Sequence, residues 1–113
     1  MHELAITQSI FDIVLEQAEK TKTRRVSKVN LVIGEMTGVV GDCVQFYFDF
    51  ISKGTLAEGA TLSFVMVPPK AQCQGCNELF ELKEFGRTCP SCGGNRLQIV
   101  AGKELFVESI EVE

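Results

Sequence analysis

Cys73-Gln74-Gly75-Cys76 and Cys89-Pro90-Ser91-Cys92 are the two segments around which this 113-residue chain is organised. Each is a C-x-x-C pair, and twelve residues separate the two pairs. A tight turn lets both thiolates of a pair bind one cation, and two facing pairs complete a tetrahedron of sulfur ligands. The spacing therefore predicts a structural zinc site, and its expected ligands are Cys73, Cys76, Cys89 and Cys92.

Two other uses of C-x-x-C pairs fit the sequence less well. A thioredoxin-like redox motif places one such pair at the start of a helix after a strand, and a disulfide framework belongs to a secreted chain. The N-terminal segment has neither the basic region nor the apolar region of a secretory signal, so we expect a cytoplasmic protein. Four thiolates leave no open coordination position, and the metal is therefore expected to fold a module rather than to catalyse.

The composition is that of a soluble globular protein. Hydrophobic residues make up 45% of the chain, charged residues make up 23%, and no apolar run is long enough to cross a membrane. The net charge of −4 disfavours binding to nucleic acid. In a reducing cytoplasm the fifth cysteine, Cys43, is expected to be a small core residue.

The first third of the chain predicts a helix followed by a strand. From Glu3 to about Lys22, apolar residues form two adjacent rows, which indicates a helix covered by a sheet on one side and by a second helix on another. Val26 to Gly34 then alternates between apolar and polar residues, the pattern of a half-buried strand.

A second helix is expected after Gly41, with Asp42 as its N-cap and Gly54 as its C-terminal stop. Its apolar residues recur at i, i+3, i+4, i+7 and i+8, and this spacing predicts a core-facing row made of Cys43, Phe46, Tyr47, Phe50 and Ile51. Thr61 to Val67 is the next predicted strand, which Pro68-Pro69 ends.

Between the two cysteine pairs, the sequence predicts a hairpin of two short strands, Leu79 to Leu82 and the run into Thr88, with a turn near Gly86. Leu97 to Val100 leads from the cysteine module into a last strand, Lys103 to Glu113. In that strand Leu105 and Val107 share a phase that Ile110 and Val112 do not. Either a bulge lies near Glu108-Ser109, or the inward row is Phe106, Ile110 and Val112.

These elements predict an α+β fold: two helices on a three-stranded sheet, with an inserted four-cysteine zinc-ribbon module. The last strand has to return to the first sheet to hide its apolar side. The expected domains are therefore a discontinuous α/β domain, residues 1–67 and 99–113, and an inserted zinc-binding domain, residues 68–98.

The only histidine, His2, lies at the other end of the chain. With a free amine on Met1, the amine nitrogen, the main-chain nitrogen of His2 and its imidazole can chelate one metal ion, and Glu3 can add a carboxylate or its own amide nitrogen. Nitrogen donors of this kind suit Ni(II) or Cu(II). From spacing alone, an inert histidine on a frayed terminus remains the commoner alternative.

Several short motifs resemble the HypA/HybF hydrogenase nickel-incorporation proteins, in one order over the whole chain. They are Met1-His2-Glu3 directly before a helix, Ile33-Gly34-Glu35, residues 54–60 (GTLAEGA), the two C-x-x-C pairs, and Ser109-Ile110-Glu111-Val112. The resemblance implies a nickel metallochaperone for [NiFe]-hydrogenase maturation, with His2 as the nickel ligand, Glu3 beside it and the four cysteines on structural zinc.

The resemblance also implies partners: a GTPase accessory protein of the HypB type, the precursor of the hydrogenase large subunit, and urease maturation factors where the machinery is shared. Some family members carry a further histidine in or near the zinc module, and this chain has none. Its nickel site therefore needs main-chain nitrogens, Glu3, water or the partner to be complete.

Two other classes of function are less well supported. A zinc ribbon that binds protein or nucleic acid is the alternative, but residues 68–98 carry four basic and three acidic side chains, and a Zn(Cys)4 centre adds two negative charges. An enzyme is not expected, because the chain has no histidine besides His2 and no Gly-rich phosphate loop.

Overall fold

The computed structural model describes residues 3–82 and 88–113. Its elements, in chain order, are α1 (Glu3–Lys20), β1 (Val26–Gly34), a 3-10 turn (Glu35–Thr37), α2 (Gly41–Ile51), β2 (Thr61–Val67), β3 (Lys70–Cys73), β4 (Leu79–Glu81), β5 (Leu97–Ala101) and β6 (Leu105–Val112). In the described part of the chain, no helix is long and apolar enough to span a bilayer.

The first sheet has the order β2-β1-β6, with β1 in the centre. β1 pairs with β2 in parallel and with β6 in antiparallel orientation. Because β2 and β6 flank β1 from distant parts of the chain, β6 returns to the first sheet as the sequence predicts. The fold class is thus confirmed: two helices lie on a three-stranded sheet that is joined to a separate cysteine module.

The core lies between this sheet and the two helices. Val29, Leu31 and Ile33 of β1 are fully buried, and they belong to the same cluster as Val14 of α1 and Phe48 of α2. The rings of Phe11 and Phe48 meet edge to face, with centroids 6.1 Å apart. The predicted two-sided cover of α1 is confirmed, since α1 contacts both α2 and β6.

The predicted core face of α2 is wrong. Val44 and Phe48 are buried, whereas Cys43 is exposed and Phe46 and Phe50 are 70% and 69% exposed. Of the predicted row, Ile51 does pack against the core and Tyr47 is half-buried. Seven of the eleven residues of α2 are apolar, so more than one helical row is apolar and periodicity alone does not identify the inner one.

Two smaller predictions about α2 are also corrected. Its N-cap is Val40, without a side-chain hydrogen bond, and Asp42 lies in the first turn instead. In the first turn, its negative carboxylate still interacts favourably with the positive end of the helix dipole. Cys43 is on the outer face of the helix and is not a core residue.

β6 contains the bulge that was one of the two alternatives. Asn30 pairs with Ser109 and Leu31 with Val107, so Glu108 is the extra residue in the register. Because the bulge reverses the phase, both Val107 and Ile110 face the core, where they pack as partly buried residues.

The second sheet has the order β4-β3-β5. β4 begins at Leu79 as predicted, but among the described residues its partner is β3, and Thr88, which was expected to end the second strand of the hairpin, is not in a strand. Gly86, where the hairpin turn was predicted, lies outside the described residues. β5 pairs with β3 as far as Ala101, which is three residues past the expected domain boundary at 98. The division into two domains remains a prediction.

Candidate metal centre

The two cysteine pairs sit on two similar turns. Cys73 is the last residue of β3, and its amide N–H donates to the carbonyl of Glu78 at 2.9 Å. In the second turn, the amide N–H of Cys89 donates to the carbonyl of Gly94 at 2.8 Å. Both bonds span five residues, and each closes a loop that turns its two thiols toward the same point.

A second hydrogen bond repeats in both turns. The N–H of Asn77 donates to the carbonyl of Cys73, and the N–H of Gly93 donates to that of Cys89, both at 2.8 Å. Asn77 and Gly93 have φ values of 65° and 74°. Glycine and asparagine are the residues that adopt this left-handed conformation most readily. Sequence analysis missed these two turn residues, although the signal was visible as Asn or Gly directly after each C-x-x-C pair.

The four sulfur atoms form one compact cluster. The Sγ atoms of Cys73, Cys76, Cys89 and Cys92 all lie within 4.8 Å of one another. The distances Cys73–Cys92 and Cys76–Cys89 are both 3.5 Å. A tetrahedral zinc with Zn–S bonds of about 2.3 Å places its sulfurs about 3.8 Å apart, so the cluster fits such an ion.

Main-chain amides point at the sulfurs. The N–H of Gly75 donates to Sγ of Cys73 at 3.3 Å, that of Ser91 to Sγ of Cys89 at 3.4 Å, and that of Gly94 to Sγ of Cys92 at 3.4 Å. These dipoles favour negative charge on sulfur. Cys73 and Cys89 are buried, whereas Cys76 and Cys92 lie at the surface.

The pKa values of the four thiols shift in opposite directions, two down and two up. The amide N–H groups of Cys76 and Gly75 lower the pKa of Cys73 to about 7. For Cys76, the amide of Glu78 acts to lower the pKa, but the neighbouring thiols and burial outweigh it and raise the pKa to about 12. Burial works against the ionisation of Cys89, yet the amides of Cys92 and Ser91 lower its pKa.

The pKa of Cys92 is raised: the amide of Gly94 acts to lower it, but the neighbouring Cys73 and Cys89 sulfurs, together with burial, outweigh that amide. The pKa values of Cys73 and Cys89 are thus lowered, while those of Cys76 and Cys92 are raised, so the last two thiols retain their protons near neutral pH. A divalent cation removes the repulsion between the thiolates and displaces those protons. The arrangement suits a closed, four-coordinate soft-metal site.

The predicted residues at the other end of the chain are only partly described. Met1 and His2 lie outside the described residues. Glu3 is the first residue of α1, and its carbonyl accepts a hydrogen bond from the hydroxyl of the buried Thr7 at 2.6 Å. The helix therefore begins directly behind His2, on a first turn that is anchored in the core.

Fold and cysteine cluster together define a class: a small α+β protein with a four-cysteine metal-binding module. The family model described as "Hydrogenase/urease nickel incorporation, metallochaperone, hypA" matches residues 1–112. The chain belongs to this family of hydrogenase/urease nickel-incorporation metallochaperones.

Individual relatives agree over the full length. The chain is 47% identical over 114 residues to the hydrogenase maturation factor HypA of Caldanaerobacter subterraneus subsp. tengcongensis, with 100% of both chains covered. It is 42% identical to the factor of the same name from Dehalococcoides mccartyi, covering 100% of this chain and 95% of that one.

A solution structure of the Ni metallochaperone HypA from Helicobacter pylori has the same fold. The TM-score is 0.68 at 22% identity, with 99% of this chain and 97% of the other covered. At that identity the likeness supports the fold alone.

Proposed function

We propose that this protein binds Ni(II) at its N-terminus through His2 and delivers it during maturation of [NiFe]-hydrogenase, while its four cysteines hold a structural zinc ion. The observation that carries this proposal is the family match, which begins at residue 1 and runs through both cysteine pairs. It includes the N-terminal segment and the cysteine module in one alignment.

The cysteine module supports a structural role for its metal. Four sulfur ligands within 4.8 Å of one another can occupy all four coordination positions of a tetrahedral ion. No position is then left for water or substrate, so this metal supplies folding energy to β3, β4 and β5 rather than chemistry. We accordingly propose no catalytic activity for the chain.

The start of α1 supports a metal site at His2. The first four N–H groups of an α-helix have no acceptor within the helix. The main-chain nitrogens around Glu3 can therefore act as metal donors without costing a helical hydrogen bond. Together with the His2 imidazole, the amine of Met1 and the carboxylate of Glu3, they provide the donors that Ni(II) accepts.

A carrier has to release its cargo. A site made of one imidazole, main-chain nitrogens and one carboxylate has ligands that a receiving protein can replace one at a time. As partners we propose a GTPase of the HypB type and the hydrogenase large-subunit precursor, in the cytoplasm. Urease maturation factors are further partners that the family description suggests.

Nickel titration tests the proposal. Protein with a native N-terminus should bind about one Ni(II) besides its zinc, and His2→Ala should remove tight nickel binding. Glu16→Ala, an exposed change on the same helix, serves as the matched control and should bind nickel normally. Nickel affinity should also fall between about pH 7.5 and pH 6, where protons compete for imidazole and amine nitrogens. Unchanged nickel binding in His2→Ala would overturn the proposal.

A further inference from the structure

The helix layer of this fold is wider than the sheet beneath it. α1 and α2 lie side by side on one face of β2-β1-β6, with α2 over the β2 side and α1 over the β6 side. Two helices, each about 10 Å across, cover about 20 Å. Three strands spaced by about 4.8 Å cover only about 14 Å. The helices therefore overhang the sheet by the width of about one strand.

A groove of about 390 Å³ lies on the β6 side, between α1 and β6. Ile13 and Gln17 line it from one side of α1, and Thr21 lines it from the turn directly after the helix. Val107, Glu108, Ser109, Ile110 and Val112 line it from β6. Ile13 is 47% exposed and Val112 is 44% exposed, so the walls carry apolar surface that the fold itself does not cover.

The two edges of the sheet differ. At the β2 edge, Oε1 of Gln45 accepts a hydrogen bond from the N–H of Leu62 at 2.8 Å, so a side chain of α2 occupies part of that edge. β6 is the opposite edge strand, eight residues long, and the groove lies along it. An edge strand with an apolar groove beside it is the geometry to which an extended segment adds as a further strand.

Charge indicates which segment fits. Glu108 lines the groove, Glu111 lies further along β6, and Glu113 follows the strand. Lys28 and Arg25 approach the last two only as long, exposed ion pairs, at 3.9 and 3.6 Å. Pairing β6 with its own copy would set two acidic strands, each with Glu108 and Glu111, side by side, which is unfavourable. Bulges and charges on an edge strand are common devices against self-association.

We propose that the groove between α1 and β6 binds an extended segment of a partner protein in which aliphatic and basic residues alternate. The segment pairs with β6 as a fourth strand. Its aliphatic side chains cover Ile13 and Val112, and its basic side chains lie next to Glu108 and Glu111. This surface shares no residue with the cysteine cluster.

A capped nonapeptide of alternating lysine and valine serves as the probe, titrated into the full-length, zinc-loaded protein and followed by NMR. We expect saturable binding, chemical-shift changes confined to α1 and β6, and slower hydrogen exchange of β6 amides. Ile13→Gln should weaken binding about tenfold, because it removes apolar contact. Glu108→Lys should weaken it about fivefold or more, because it reverses a charge at the site.

Controls separate strand addition from unspecific attraction. Val65→Gln, at an exposed position of the opposite edge strand, should change the affinity by less than about twofold. A peptide of the same charge with proline replacing every second valine should not bind, because proline cannot donate to a ladder. A glutamate-valine peptide should not bind either.

Three outcomes would overturn the proposal. These are absence of binding at about 1 mM probe, equal binding of the proline-containing peptide, and shift changes that map to β2 instead. If sedimentation shows that the protein alone dimerises and that Glu108→Lys abolishes the dimer, the occupant is a second copy and not a basic segment.

Discussion

Gly34, the last residue of β1, packs directly against Gly102, the first of the three residues between β5 and β6. A Cβ atom built on Gly34 would collide with the carbonyl group of Gly102, and one on Gly102 would lie 2.8 Å from Cα of Pro69. The N–H of Met36 also donates to the carbonyl of Gly102 at 2.8 Å. The backbones of three chain segments thus approach each other closely at these two glycines, where the two sheets join.

Gly34→Ala is therefore expected to destabilise the protein strongly. The new methyl group meets backbone that cannot move without separating β1 from the Gly102 segment, and we expect a loss of about 3 kcal/mol or more in the free energy of unfolding. Gly59→Ala is the matched control, since Gly59 has φ 80° but open space around it. It should cost only about 1 kcal/mol, the penalty of the left-handed conformation. Equal losses in urea unfolding of the two variants would contradict the tight joint.

The inner face of α2 can be tested with two phenylalanines two residues apart. Phe48 is fully buried against Phe11, whereas Phe46 is 70% exposed. Phe48→Ala should cost about 3–5 kcal/mol, and Phe46→Ala should stay within about 0.5 kcal/mol. Chemical denaturation of both variants measures the difference. If Phe46→Ala were the more damaging change, the core face of α2 would be the row that contains Phe46, as the sequence had predicted.

Sequence patterns predicted where helices and strands lie better than they predicted which side of each element is buried. β1 was predicted as Val26 to Gly34 and is found there, because its alternation has one clear phase. The slip in the phase of β6 was visible as well, and the bulge at Glu108 explains it. For α2 the pattern failed, since its apolar residues extend nearly around the helix and only the position of the sheet selects Val44 and Phe48.

The cysteine module shows the same division. The spacing of the C-x-x-C pairs predicted a cluster, and the four Sγ atoms form one. The partner of β4 was not predicted, because Lys70–Cys73 had not been recognised as a strand; this strand, β3, pairs with β4 on one side and with β5 on the other. The chelate at His2 stays a prediction, as His2 lies outside the described residues.

Zinc content tests the cysteine cluster. We expect about one zinc per chain in a sulfur-only shell, with Zn–S distances near about 2.3 Å in X-ray absorption. Cys92→Ser should lose zinc and unfold β3 to β5, while the α-helical circular dichroism of α1 and α2 remains, since the helices have their own core. Cys43→Ser, the control at the exposed cysteine, should keep its zinc. Nitrogen ligands at the zinc would contradict the four-cysteine assignment.

Zinc binding should release protons, and its affinity should rise with pH. In the metal-free protein the pKa of Cys76 is raised to about 12 and that of Cys92 is also raised, so both thiols carry protons at pH 7.5. Zinc binds thiolates, and its uptake must therefore displace the protons of Cys76 and Cys92. Lowering the pH through about 7 also protonates Cys73 and weakens binding further. An indicator dye in weak buffer measures the release, and pH-independent zinc affinity would contradict this division of the thiols.

The amine of Met1 gives the sharpest test of the nickel site. If the amine and the His2 imidazole belong to one chelate, then residues added before Met1 should damage nickel binding nearly as much as His2→Ala does. The extension converts an amine donor into a peptide amide, which is much harder to deprotonate. The fold should not change, because α1 begins at Glu3 and its buried residues begin at Thr7, so the cost should stay below about 0.5 kcal/mol.

The experiment compares native, N-terminally extended and His2→Ala proteins by nickel titration, zinc content and thermal melting. Both variants are expected to lose tight nickel binding and to keep zinc and melting temperature. If the extended protein binds nickel like the native one, the amine is not a ligand, and the site has to be built from the His2 side chain with Glu3 and other donors. A fall in zinc content in either variant would instead show that the N-terminal segment and the cysteine cluster are coupled.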